Sequence, residues 1–107
     1  RCFLKLAGTK YMPDPAGKIL LLESFGGTFN RISSYFAQLE QLDFFSRLSG
    51  VILGNFYEAE KKGEGERIVD YFTKMNGKYN LPLIKTDKIG HKSDSRGVLL
   101  GSELSIF

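Results

Sequence analysis

The feature that most constrains this chain is the run Lys18-Ile19-Leu20-Leu21-Leu22-Glu23. Four consecutive large apolar residues with no alternation predict a strand covered on both faces, as in a parallel sheet. Parallel neighbours need a crossover connection, and the sequence supplies one. Beyond Ser24-Phe25-Gly26-Gly27, the residues Ile32, Tyr35, Phe36, Leu39 and Leu42 recur at steps of three or four, the stripe of an amphipathic helix. Thr28 or Asn30 can cap its start, and Phe44 to Leu48 extend it to a stop at Gly50. Val51-Ile52-Leu53-Gly54-Asn55 then reads as a second buried strand. Strand, helix and strand over roughly 35 residues make one right-handed crossover unit.

The remainder extends that unit on both sides. Cys2 to Ala7 alternate apolar and polar, which predicts a half-buried strand closed by Gly8-Thr9. Tyr11 to Gly17 hold two prolines and form a connector. Tyr57 to Glu66 are charged and read as an exposed loop. A second helix follows, with Ile68, Val69, Phe72 and Met75 on one face and Asn76-Gly77 as its stop. Leu81 to Ile84 predict a short strand with Pro82 at its start or on an edge. Lys85 to Gly97 form a long loop, and Val98-Leu99-Leu100 with Leu104 to Phe107 predict a terminal hairpin. The expected architecture is a single α/β domain over residues 1–107, with a small, mostly parallel sheet, flanking helices and a C-terminal hairpin, of the swivelling β/β/α-like kind.

Composition removes several function classes. A chain of 107 residues with 15 Lys plus Arg against 12 Asp plus Glu carries a net charge of only +3, with no like-charge block suited to nucleic acid. No apolar run approaches the ~18 residues that span a membrane. Cys2 is the only thiol, so neither an intrachain disulfide nor a zinc cluster is expected, no cofactor is called for, and a cytoplasmic setting fits. The chain starts at Arg1 within an apolar stretch and ends in another, which points to an excised domain with something missing upstream. Any imidazole chemistry falls to the single histidine, His91.

In an open parallel sheet the carboxyl ends of the strands face the ligand crevice. Glu23 ends the leucine strand, and His91 lies in the loop leaving the Leu81–Ile84 strand, so the two can meet in space although far apart in sequence. A carboxylate that accepts from the imidazole Nδ1–H fixes the tautomer, leaving Nε2 to take a proton from a nucleophile. A glutamate beyond a strand also serves as a helix N-terminal anion or a solvated loop residue, and a lone loop histidine as ordinary surface. The pattern leaves both readings open. No serine here sits in a Gly-x-Ser-x-Gly elbow, so a nucleophile would lie outside this chain.

Gly8-Thr9, Tyr11, Pro13-Asp14, Gly17 to Glu23, Gly50 to Phe56 and Gly90-His91 occur in an order that resembles the carboxy-terminal domain of the serine LD-carboxypeptidases. That family includes muramoyltetrapeptide carboxypeptidases and microcin C immunity peptidases. The resemblance runs along nearly the whole chain and is most specific around Glu23 and Gly50 to Phe56. It implies a two-domain, cytoplasmic, usually dimeric enzyme whose amino-terminal domain supplies the serine and the oxyanion-hole amides. Glu23 would be the acid of a Ser-Glu-His triad and His91 its base, acting on the bond before the terminal D-alanine of murein tetrapeptide. Two positions depart from the family pattern, which commonly has a second acid at Ser24 and a glycine at Lys92; both bear on substrate preference. The chain alone is expected to be inactive. Its loops normally close against the partner domain, so Glu23 and His91 are free to lie beyond hydrogen-bond reach in isolation. The alternatives are an immunity-type peptidase cleaving a peptidyl-nucleotide antibiotic, and a non-catalytic binding or dimerisation domain.

Lys85, Lys88, Lys92 and Arg96 place positive charge around His91, as a solvated basic loop or as a lure for an anionic substrate. Gly26-Gly27 reads as backbone freedom after Glu23, and Gly63-Glu64-Gly65 as a flexible loop, since acids would surround any phosphate there. Tyr35, Phe36, Phe44 and Phe45 read as core or a dimer contact.

Overall fold

The computed structural model describes residues 2–104. Three strands, β1 (Ile19–Ser24), β2 (Gly50–Phe56) and β3 (Leu83–Lys85), form one sheet in the order β1-β2-β3, and both pairings are parallel. The crossovers are α1 (Phe29–Gln41) between β1 and β2, and the pair α2 (Tyr57–Lys61) and α3 (Gly65–Asn76) between β2 and β3. The α/β class and the strand-helix-strand unit are as the apolar runs predict.

The core lies between the sheet and the packed pair α1 and α3. Ile32, Phe36 and Leu39 are the buried stripe of α1, Ile68, Phe72 and Met75 that of α3, and Val51, Leu53 and Phe56 meet them from β2. Aromatic edges set the geometry. Phe36 makes T-shaped contacts with Phe56 and Phe72, and Phe72 a further one with Phe45. Ring pairs at these separations add about 0.5–1.5 kcal/mol beyond the area they bury. β2 is buried along its whole length, as a central strand should be.

Several elements differ from the pattern reading. β1 is an edge strand: Ile19 is 41% exposed and Leu20 to Leu22 are half-buried, so this apolar run is not covered on both faces. Phe3–Leu6 is a 3-10 helix, not a strand. Its N–H groups bond locally, Lys5 to Cys2 and Ala7 to Leu4, and Leu4 alone is buried. Phe44 to Leu48 do not continue α1, because Asp43 adopts φ 58° and breaks it; Phe44, Phe45 and Leu48 are nevertheless core. Tyr57 to Glu66 contain α2 and the start of α3 where a loop was expected, held by the fully buried Ala59. Val98 to Leu104 form no strand and are largely exposed, so there is no hairpin among the described residues; of its expected second arm, Leu104 to Phe107, all but Leu104 lies outside them. Among the described residues no helix is long and apolar enough to cross a membrane.

Phe72 is fully buried at the meeting point of α1, α3 and the Phe45 turn. Phe72→Ala should therefore cost about 3–5 kcal/mol, read as a lower denaturant midpoint with little change in the slope of the transition.

Candidate active site

Glu23 and His91 come together at the carboxyl end of the sheet. His91 Nδ1 lies 3.0 Å from Glu23 Oε2, across 68 positions of sequence. Both side chains are partly open to solvent, His91 49% and Glu23 31%. A carboxylate can only accept, so Nδ1 carries the proton and donates, which leaves Nε2 as the basic nitrogen. The expected freedom of the two loops to separate is not realised: the chain by itself holds the pair at bonding distance.

The backbone explains how. β1 and β2 pair in register from Ile19 with Gly50 to Leu22 with Leu53, and then shift, so that Ser24 pairs with Phe56. Two residues of β2, Gly54 and Asn55, thus face one of β1, Glu23, in a bulge of the kind that re-aims a side chain. The loop after β3 docks on the same stretch, where Leu53 O accepts from Thr86 N at 2.9 Å and Asn55 N donates to Ile89 O at 2.8 Å. Gly54 makes room for both partners. A Cβ on it would lie 2.6 Å from Ile89 O and 3.1 Å from Glu23 Cβ. Gly90, next to the histidine, has φ +145°, and a Cβ there would lie 2.7 Å from Asn55 Cβ. Acid and base are therefore adjacent because two glycines let the backbones approach.

Asn55 is the one polar residue among the buried side chains, and neither atom of its amide has a hydrogen-bond partner among the described residues. An orphaned buried polar group costs about 1–3 kcal/mol. That cost falls where β2 supports the His91 loop.

Around the pair, Phe25 packs its ring 5.2 Å from the imidazole, edge-on, and stacks on Tyr57 at 5.3 Å and 10°. Phe25 is 57% exposed. Glu23, Phe25 and His91 border a groove of about 720 Å³ that continues along β1. Ser24 Oγ donates to Gly26 O at 2.6 Å, and Gly27, with φ +112°, would press a Cβ to 3.1 Å from Ile32. The glycine pair thus provides backbone freedom, as expected, chiefly through Gly27. Two of the four cations of the basic loop are paired: Lys88 with Asp94 of the same loop at 3.3 Å, and Lys92 with Glu60 of α2 at 3.1 Å. The Glu60 carboxylate, by bonding the Lys92 ammonium, raises its pKa above the ordinary lysine value.

The comparisons with known proteins bear on the family and the fold. The family model of the LD-carboxypeptidase C-terminal domain matches residues 1–106. The chain belongs to that family. This LD-carboxypeptidase domain is also 31% identical over 77 residues, 71% of its length, to a Vibrio cholerae serotype O1 protein named as a carboxypeptidase, of which it covers 23%. Its fold is similar to that of a muramoyltetrapeptide carboxypeptidase from Oxalobacter formigenes, at TM-score 0.71 and 22% identity, over 88% of this chain and 34% of that one. It is likewise similar to the microcin C7 self immunity protein MccF in an inactive mutant apo state, at TM-score 0.69 and 21% identity, over 80% of this chain and 26% of that one. The chain thus spans about a third or less of the relatives it matches, and corresponds to the C-terminal part of these carboxypeptidases.

The sequence pattern singled out Glu23 and His91, and the structure brings both into one site. It did not single out Gly54, Gly90, Asn55 or Glu60 for a role in building that site. A glycine and an asparagine inside an apolar strand were the available signal. Gly54→Ala should push the Ile89 loop away from Glu23. The prediction is a loss of the Nδ1–H tautomer of His91, read by long-range proton–nitrogen correlation on the 107-residue protein at a pH where the imidazole is neutral. An unchanged ring-nitrogen pattern in that variant would contradict the packing argument.

Proposed function

We propose that this domain supplies the acid and the base of a Ser-Glu-His triad in a longer serine LD-carboxypeptidase. The observation that carries the reading is the 3.0 Å contact of Glu23 Oε2 with His91 Nδ1 at the sheet's carboxyl end, beside a groove. In this reading His91 Nε2 takes the proton of a serine hydroxyl on an amino-terminal domain as the serine oxygen bonds to the scissile carbonyl carbon. The imidazolium is steadied by the Glu23 carboxylate and passes the proton to the leaving amine, so the peptide C–N bond breaks and an acyl-serine remains. Water then attacks the acyl carbon as His91 takes its proton, and His91 passes that proton to the serine oxygen as the acyl C–O bond breaks and the carboxylic product leaves. Amides of the amino-terminal domain would stabilise the oxyanion. Murein tetrapeptide, losing its terminal D-alanine, is the proposed substrate in a cytoplasmic, homodimeric enzyme of peptidoglycan recycling.

The stack of the exposed Phe25 on the half-buried Tyr57 beside His91 favours a second reading, in which the same triad cleaves a peptidyl-nucleotide. An aromatic face accommodates any base. Comparing kcat/KM on murein tetrapeptide and on such a conjugate decides between the two.

In the longer protein, His91→Ala and Glu23→Ala should each lower kcat by roughly 10⁴-fold or more with the fold intact. Near-normal turnover in either variant removes the assignment. The 107-residue chain, without a serine nucleophile of the required kind, should release no D-alanine; measurable hydrolysis by the pure chain contradicts the split triad.

A further inference from the structure

The short helix α2 touches both loops that carry the pair, and its two glutamates divide the work. Glu58 faces the turn after Glu23: its N–H donates to Phe25 O at 3.0 Å, and its carboxylate Oε2 accepts from Gly27 N. Glu60 faces the other loop: its Oε1 lies 3.1 Å from the ammonium of Lys92, the residue next to His91, while its Oε2 accepts from Phe56 N at the end of β2. Both partners of the ion pair are partly shielded, Lys92 to 37% and Glu60 to 24% exposure, and a Cβ on Gly65 would lie 3.0 Å from Glu60 Cγ. His91 itself is about half exposed, and Glu23 is the one hydrogen-bond partner its ring makes among the described residues. Exposed side chains change rotamer within ps–ns, so the ring stays on Glu23 only while its backbone holds it within bonding reach.

We propose that α2 is the positioning element of the site, with Glu60 acting through Lys92 to hold His91 in register, and Glu58 acting through Gly27 to hold the turn that follows Glu23. The proposal deepens the acid–base reading and rests on it. Lys92 serves here as a structural cation already spent on Glu60, not as a substrate-binding charge. The pairing raises the Lys92 pKa, so the ammonium is charged at neutral pH and gives up its proton as pH rises through a value above the ordinary ~10.4 of lysine.

The test uses Lys92→Met, which keeps the stem and removes the charge, with Lys92→Arg as the conservative variant and Glu58→Ala with Glu58→Gln as the second arm. On the 107-residue protein, ring-nitrogen correlation spectra should show the Nδ1–H tautomer of His91 in the parent, in Lys92→Arg and in Glu58→Gln. Mixed tautomers are expected in Lys92→Met and in Glu58→Ala, with helix content unchanged by circular dichroism. In the longer protein, Lys92→Met should lower kcat by about tenfold to a hundredfold, with KM little altered. Retention of the parent tautomer and of kcat in Lys92→Met overturns the Glu60 arm, and retention in Glu58→Ala overturns the other. A rise in KM with kcat unchanged would show instead that Lys92 binds substrate. Glu23→Ala serves as the reference: if it too leaves the tautomer unchanged, the acid–base pair fails, and the bracing role is not what failed.

Discussion

The hydrogen bond from Asn55 N to Ile89 O is the contact on which the site depends. It continues the β2 ladder past the end of β3 and lays the histidine loop against the strand that also flanks Glu23. β1 and β3 are not neighbours in the sheet, so the loop after β3 reaches Glu23 by crossing the end of β2. The central strand contributes neither acid nor base, yet it fixes the separation of both. Gly54 in that strand is what lets the Ile89 loop and Glu23 approach it so closely.

Pattern reading recovers what hydrophobic periodicity encodes. The leucine run, the α1 stripe and the Val51 to Asn55 run each have enough apolar residues at one spacing to be unambiguous, and the crossover unit follows from them. It fails where local chemistry or neighbours decide. Cys2 to Ala7 alternate like a strand but lack a strand beside them, so 3-10 hydrogen bonds satisfy the backbone instead. Asp43 ends α1 through a left-handed φ that nothing in its spacing announces. α2 is invisible because one buried residue, Ala59, is all that a five-residue helix offers to periodicity.

The candidate site was legible to a different degree. Placing Glu23 and His91 at strand ends requires only the rule that ligand crevices open at the carboxyl edge of a parallel sheet. Bringing them into contact requires a register shift and two close backbone approaches, which are tertiary events. The same limit applies to Lys92. Its charge reads from sequence as part of a basic loop, whereas its partner Glu60 sits on an element that the sequence hides.

The exposed edge of β1 has a consequence for handling the molecule. Its outer row of amide and carbonyl groups is unpaired among the described residues, and exposed Ile19 and Phe25 stand at its two ends. Such an edge is a template for any other extended chain. Neighbouring copies at high concentration would find there both backbone partners and apolar contact, so edge-to-edge association is the hazard that β1 carries.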